Sequence, residues 1–169
     1  KTIADAVEIS VPTVKNWLNI LERLGIIFYL HPYSNNLLKR MVTKPKLYFY
    51  DSGLVAYLTK WTDSETLMSG AILENFVVSE IVKSYQNAGL ESFIYYYRDK
   101  DNKEIDIVLE RNGTLYPLEI KKTMMPDKRW TNVFGVLDKT SLKRGTGGIL
   151  CLSDKFTAFD RDNLIIPVW

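Results

Sequence analysis

Asn112-Gly113 constrains this chain more than any other feature. A dipeptide of this kind between two alternating apolar runs is the strongest short-range signal for a two-residue hairpin, whose primed turn matches the twist of the flanking strands. The turn also sets the register. With Arg111 opposite Thr114, Asp106 falls opposite Glu119 and Glu104 opposite Lys121. Period-two alternation then puts these four polar side chains on one face and Ile105, Ile107, Leu118 and Ile120 on the other. Directly opposed side chains lie only about 5 Å apart at Cβ, and like charges there are destabilising. A divalent cation relieves that repulsion, because hard oxygen ligands from two carboxylates are what Mg²⁺ prefers. Asp106 and Glu119 are therefore candidate metal ligands. Lys121, two residues from Glu119 on the same face, is placed to stabilise an attacking water or a phosphate oxygen.

A third carboxylate points the same way. The run Ala71-Ile72-Leu73-Glu74-Asn75-Phe76-Val77-Val78 opens a helix predicted over residues 71–87, in which Glu74 shares an apolar stripe with Val77, Val78, Ile81 and Tyr85. A carboxylate on a core-facing stripe needs a partner or a metal. The hairpin cluster is the expected one.

Upstream, the order is two helices, a strand, a polar tip and a second strand. Ser10 is a candidate N-cap, Pro12 sits in the first turn of a helix running to Leu24, and Gly25 suits the left-handed position beyond it. Strands follow at Ile26 to Leu30 and Lys46 to Tyr50. This is the order of a winged helix-turn-helix. Its outward positions Thr13, Lys15, Asn16 and Asn19 can reach bases or phosphates, and Lys39, Arg40, Lys44 and Lys46 can grip a nucleic-acid backbone from the wing. A short helix at Gly53 to Leu58 leads to a polar linker, Thr59 to Ser64. The expected domains are thus residues 1–60 and 61–169. In the second, strands are predicted at Phe93 to Tyr97, Glu104 to Glu110, Leu115 to Lys121 and Ile149 to Leu152, with a helix around Trp130 to Asp138, which makes an α/β sandwich on a mixed sheet.

Composition sets outer limits. A hydrophobic fraction of 46% with 25% charged residues suits a folded globular chain. The net charge of +2 is unevenly spread, since residues 1–60 hold eight Lys and Arg against four Asp and Glu. The basic end is the one expected to meet phosphates. A single cysteine, Cys151, excludes an intramolecular disulfide and a cysteine zinc cluster, which fits a cytoplasmic setting. No apolar run reaches the roughly 18 residues a membrane span needs, so no membrane partner is expected. The chain opens at Lys1 inside a helical pattern without a methionine, and is expected to be a fragment of something longer.

Asp106, then twelve residues, then Glu119-Ile120-Lys121 resembles the D…ExK signature of the PD-(D/E)xK restriction-endonuclease-like superfamily, preceded by a helix glutamate. More widely, Lys46-Leu47-Tyr48-Phe49-Tyr50-Asp51-Ser52-Gly53-Leu54, Glu74-Asn75-Phe76-Val77 and Tyr116-Pro117-Leu118-Glu119-Ile120-Lys121 resemble the C-terminal region of prokaryotic AAA-type ATPases, a domain of unknown function. The resemblance implies an α+β chain, a winged helix followed by a nuclease-like domain, attached to an N-terminal ATPase. It implies Asp106 and Glu119 as ligands of Mg²⁺ or Mn²⁺, Lys121 as the catalytic lysine, and Glu74 as a helper. Arg98 near the strand end joins Thr13, Lys15, Asn16, Lys39 and Arg40 as a nucleic-acid contact, with DNA or RNA as the partner. The G-x-x-x-x-G-K-[ST] motif is missing, so ATP enters only through an ATPase domain outside this sequence.

Two readings stay open. Asp106, Glu119 and Lys121 also describe a cross-strand salt bridge on a solvated sheet face. A winged helix and a degenerate sandwich also describe a non-catalytic DNA- or protein-binding module that anchors the ATPase.

Overall fold

The computed structural model describes residues 2–33, 44–60 and 69–169, a mixed α/β chain with a mixed multi-strand sheet. Helix α1, Thr2–Ala6, ends ahead of Glu8, which takes a left-handed φ of 54°. Helix α2, Val11–Arg23, begins as expected: the Ser10 side chain accepts the Thr13 N–H, and Gly25 lies at φ 68° beyond its end. Val14 turns inward, whereas Trp17, Ile20 and Leu24 form an exposed apolar stripe. Strand β1, Ile27–Leu30, pairs antiparallel with β2, Lys46–Phe49. Lys39 and Arg40 lie outside the described residues, as does most of the expected linker. Helix α3, Ser52–Leu58, is capped by Asp51.

Helix α4, Gly70–Asn87, is capped by Ser69 and leads into the sheet. Its strands are β3 (Ile94–Arg98), β4 (Glu104–Arg111), β5 (Thr114–Lys121), β6 (Lys143–Arg144), β7 (Gly147–Cys151), β8 (Thr157–Ala158) and β9 (Asn163–Pro167). The order across the sheet is β3-β4-β5-β7-β9-β8, with β6 beside the start of β5. β3, β4 and β5 are antiparallel neighbours, and β5, β7 and β9 are parallel. The short strands β6 and β8 and the final β9 are additions to the expected set. The expected helix around Trp130 is a 3-10 segment, Lys128–Lys139. Its Thr131, Asn132, Val133, Phe134, Gly135 and Val136 are all poor α-helix formers, so the tighter winding prevails.

The sheet has apolar cover on both faces. On one, Leu73, Val77 and Val78 of α4 pack with Ile107, Leu118 and Ile120, and the hairpin residues Phe28, Leu30 and Tyr48 belong to the same core. On the other, Phe134 and Leu137 of the 3-10 segment pack with Tyr97, Ile105, Val108 and Leu115. The chain after β1 runs parallel beside β3: Tyr33 N–H donates to Tyr96 O at 2.7 Å, and Tyr96 N–H to His31 O at 3.1 Å. Among the described residues no helix is long and apolar enough to cross a membrane.

Candidate functional site

The hairpin forms with the predicted register. Arg111 pairs with Thr114, and the ladder runs to Ile107 opposite Leu118. Asn112 and Gly113 both take positive φ, 52° and 70°, as a primed turn demands. Beyond Ile107 the ladder gives way to a side chain: Asp106 Oδ2 accepts the buried Ile120 N–H at 2.9 Å. The cause is visible on the other edge of β4. Tyr95 pairs with Val108 and Tyr97 with Ile105, so Asp106 and Ile107 together oppose the single residue Tyr96. This β-bulge re-aims one side chain and resets the alternation.

The reset corrects the expected grouping of faces. Ile105 packs with the 3-10 segment, opposite to Ile107, Leu118 and Ile120. Glu104 does not meet Lys121; its partners are Lys46 and Arg98, the latter with Nε at 3.6 Å. A strictly alternating strand cannot carry this information, because the extra residue is invisible to a period-two count.

Three of the expected residues do converge. Lys121 Nζ hydrogen-bonds Glu119 Oε2 and lies 3.5 Å from Asp106 Oδ2. Asp106 and Glu119 are both buried, Glu119 at 5% exposure. Lys121 also lies near the Trp130 ring, at 6.0 Å from its centroid. Burial first, and then the negative charge of Asp106, raise the Glu119 carboxyl to about 8, against the opposing pull of Lys121. Burial draws the Lys121 ammonium down, but the charge of Asp106 and the contacts to Glu119 reverse this and leave it raised.

Glu74 stands apart from this group and its expected partners are corrected. Its Oε1 accepts from Lys46 Nζ at 3.0 Å and from the Tyr48 hydroxyl at 2.6 Å. Lys46 in turn reaches Glu104, so Glu74, Lys46, Glu104 and Arg98 form a chain of alternating charge. The role expected of Lys46, gripping a backbone from the wing, gives way to this pairing. Burial and then the charge and hydrogen bond of Glu74, followed by the charges of Asp106 and Glu104, push the Tyr48 hydroxyl up. The Tyr48 hydroxyl thus feels the charge of both acidic groups. Asn75, beside Glu74, has a structural role that no periodicity in the sequence signals: its amide bonds both the N–H and the C=O of Phe49, at 2.8 and 3.1 Å, and ties α4 to β2.

Of the remaining expected contacts, Lys15 and Asn16 are exposed on α2, and Thr13 is half-buried with its hydroxyl bonded to Ser10. Arg98 sits at the end of β3, donating to Asn102 and facing Glu104.

Among the described residues no group of three or more His, Cys, Asp or Glu side chains is arranged to hold a metal ion. The pair Asp106 and Glu119 still fits a hard cation that keeps most of its own water, since Mg²⁺ is commonly bound by one or two carboxylates. Two buried carboxylates, one of them held protonated to about pH 8, are the donor chemistry such an ion would relieve.

The family described as "Domain of unknown function (DUF4143)" matches residues 69–169, well over half of the chain. The chain belongs to the DUF4143 family. A second family, "Domain of unknown function (DUF8612)", matches residues 1–65. The DUF4143 part carries Glu74, Asp106, Glu119 and Lys121, while Lys46 and Tyr48 come from the DUF8612 part. Among relatives, an uncharacterized protein of Mycobacterium bovis and one of Mycobacterium tuberculosis are each 29% identical over 128 residues. The match covers 73% of this chain and 28% of each relative. No solved structure matches.

Proposed function

We propose that this chain is a nucleic-acid-binding, metal-dependent phosphodiester hydrolase module of the PD-(D/E)xK type, working as the C-terminal part of an AAA-type ATPase. The observation that carries the reading is the buried Asp106–Glu119–Lys121 cluster at the β4–β5 bulge. A cross-strand salt bridge on a solvated face does not require two buried carboxylates around one ammonium, nor a carboxylate inserted into the ladder. The N-terminal helices and the β1–β2 hairpin have the order of a winged helix, and relatives much longer than the chain are consistent with a further domain.

In this reading Asp106 and Glu119 hold Mg²⁺ or Mn²⁺, which supplies Lewis acidity toward a phosphodiester. Asp106 is kept in one orientation by the Ile120 N–H. Glu119 must lose its proton to take part. Lys121, held by both carboxylates, offers its ammonium to the negative charge that develops on the phosphoryl oxygens as water attacks and the P–O bond breaks. Lys15, Asn16 and Arg98 supply cationic and polar contacts to the nucleic acid, DNA in the first instance and RNA as a further substrate.

A second reading has its own support. The exposed stripe Trp17, Ile20 and Leu24 on α2 is apolar surface that phosphates do not favour, and it suits a module that docks on protein without catalysis. Calorimetric titration with Mn²⁺ separates the two. The hydrolase reading expects binding that is lost in Asp106→Asn and in Glu119→Gln. DNA binding that falls with salt but is untouched by both substitutions, with no Mn²⁺ bound by any variant, supports the non-catalytic module instead.

A further inference from the structure

The ion-paired network around Lys46 crosses between the two family segments. Lys46 opens β2, opposite Leu30, and its side chain is mostly buried over the Tyr96 ring, with Nζ 5.3 Å from the centroid. It bridges Glu74 on α4 and Glu104 on β4. Tyr48, two residues on and on the same side of β2, is 5% exposed, stacks on Phe28, and donates its hydroxyl to the same Glu74 oxygen. Glu104 is also faced by Arg98, and it lies two residues before Asp106, with only Ile105 between it and the bulge. The bulge is the weak point of β4, because its extra residue leaves the ladder unpaired there. The backbone just before the bulge leads directly into Asp106, whose carboxylate accepts the Ile120 N–H.

We infer that Lys46 and Tyr48 of the N-terminal hairpin are positioning residues for Asp106: Lys46 ties the start of β4 to α4 through Glu104 and Glu74, and Tyr48 holds Glu74 in place. The hairpin is therefore part of the functional site and more than a neighbouring module. The placement stands on the contacts alone, while its consequence for metal binding rests on the proposed hydrolase reading.

The Ile120 amide is the reporter, since it donates directly to Asp106 and its exchange rate and chemical shift follow the orientation of that carboxylate. The test uses the full chain, with amide exchange followed by NMR in Lys46→Met, Lys46→Arg and Tyr48→Phe, and Mn²⁺ binding measured alongside. Lys46→Met is expected to shift the Ile120 resonance and speed its exchange about tenfold or more, while Ile149 and Leu150 of β7 stay as in the wild type. Lys46→Arg, which keeps a cation able to bridge Glu74 and Glu104, is expected to recover most of the shift, which a general loss of packing does not predict. Tyr48→Phe, which keeps the ring and removes one hydroxyl, shifts Ile120 in the same direction by a smaller amount. An Ile120 amide that is unmoved in folded Lys46→Met overturns the inference, and so does an equal acceleration across β7. If Ile120 moves as expected but the wild type binds no Mn²⁺, the positioning role stands and the hydrolase reading fails.

Discussion

At the scale of single residues, Asp106 and Glu119 answer to different tests. Removing the Asp106 side chain strands the buried Ile120 N–H, so Asp106→Ala is expected to lower stability by about 1–3 kcal/mol, whereas Asp106→Asn keeps an acceptor and loses less. Urea denaturation of the two variants measures the difference. For Glu119 the sign follows from its raised carboxyl. The unfolded chain releases this proton near 4.5 and the folded chain near 8, so between these values the folded state binds more protons and stability falls as pH rises. The penalty is absent below the unfolded value and complete above about pH 8. Glu119→Gln removes it, and the variant is expected to gain on the wild type between pH 5 and 8, by a few kcal/mol at most. A wild type that strengthens over that range in metal-free buffer contradicts the assignment.

At the scale of elements, the Asn112-Gly113 hairpin was legible because turn chemistry and strand register are local. Both residues need positive φ, so the double substitution to Ala is expected to destabilise the chain by roughly 1–2 kcal/mol, read by thermal unfolding. The capping of α2 by Ser10 and the helix carrying Glu74 were legible for the same reason. What the sequence could not show was the bulge at Asp106 and Ile107. Its cause lies in the pairing with β3, whose register comes from contacts remote in sequence, and it moved Ile105 and Glu104 away from their expected neighbours. The place of Glu74 on an apolar stripe demands a partner, but Lys46 and Tyr48 lie 28 and 26 residues before it. No periodicity links those positions. Strand β9 rests on parallel pairing with β7, and Gly147 there lies against the Phe134 ring, where an added Cβ would come within 2.6 Å. Gly147→Ala is therefore expected to cost about 1–3 kcal/mol through overpacking, again by thermal unfolding.

At the scale of the whole molecule, the β1–β2 hairpin and the sheet share one core, and β3 is tied to the chain after β1 by two backbone hydrogen bonds. The two family segments meet at Glu74 and Glu104, which Lys46 bridges and of which Tyr48 holds the first. The proposed nucleic-acid role predicts that replacing Lys15 weakens DNA binding across sequences and flattens its salt dependence by about one counterion, as read from binding isotherms at several salt concentrations. Whether the Asp106–Glu119–Lys121 cluster acts on phosphodiesters is decided by incubating the chain with linear, branched and single-stranded DNA in Mg²⁺ or Mn²⁺ beside Lys121→Ala. The wild type is expected to cut, and the variant to lose that scission by about a hundredfold or more. Folded wild-type protein that cuts none of these substrates, or a Lys121→Ala chain that cuts them equally well, contradicts the hydrolase reading.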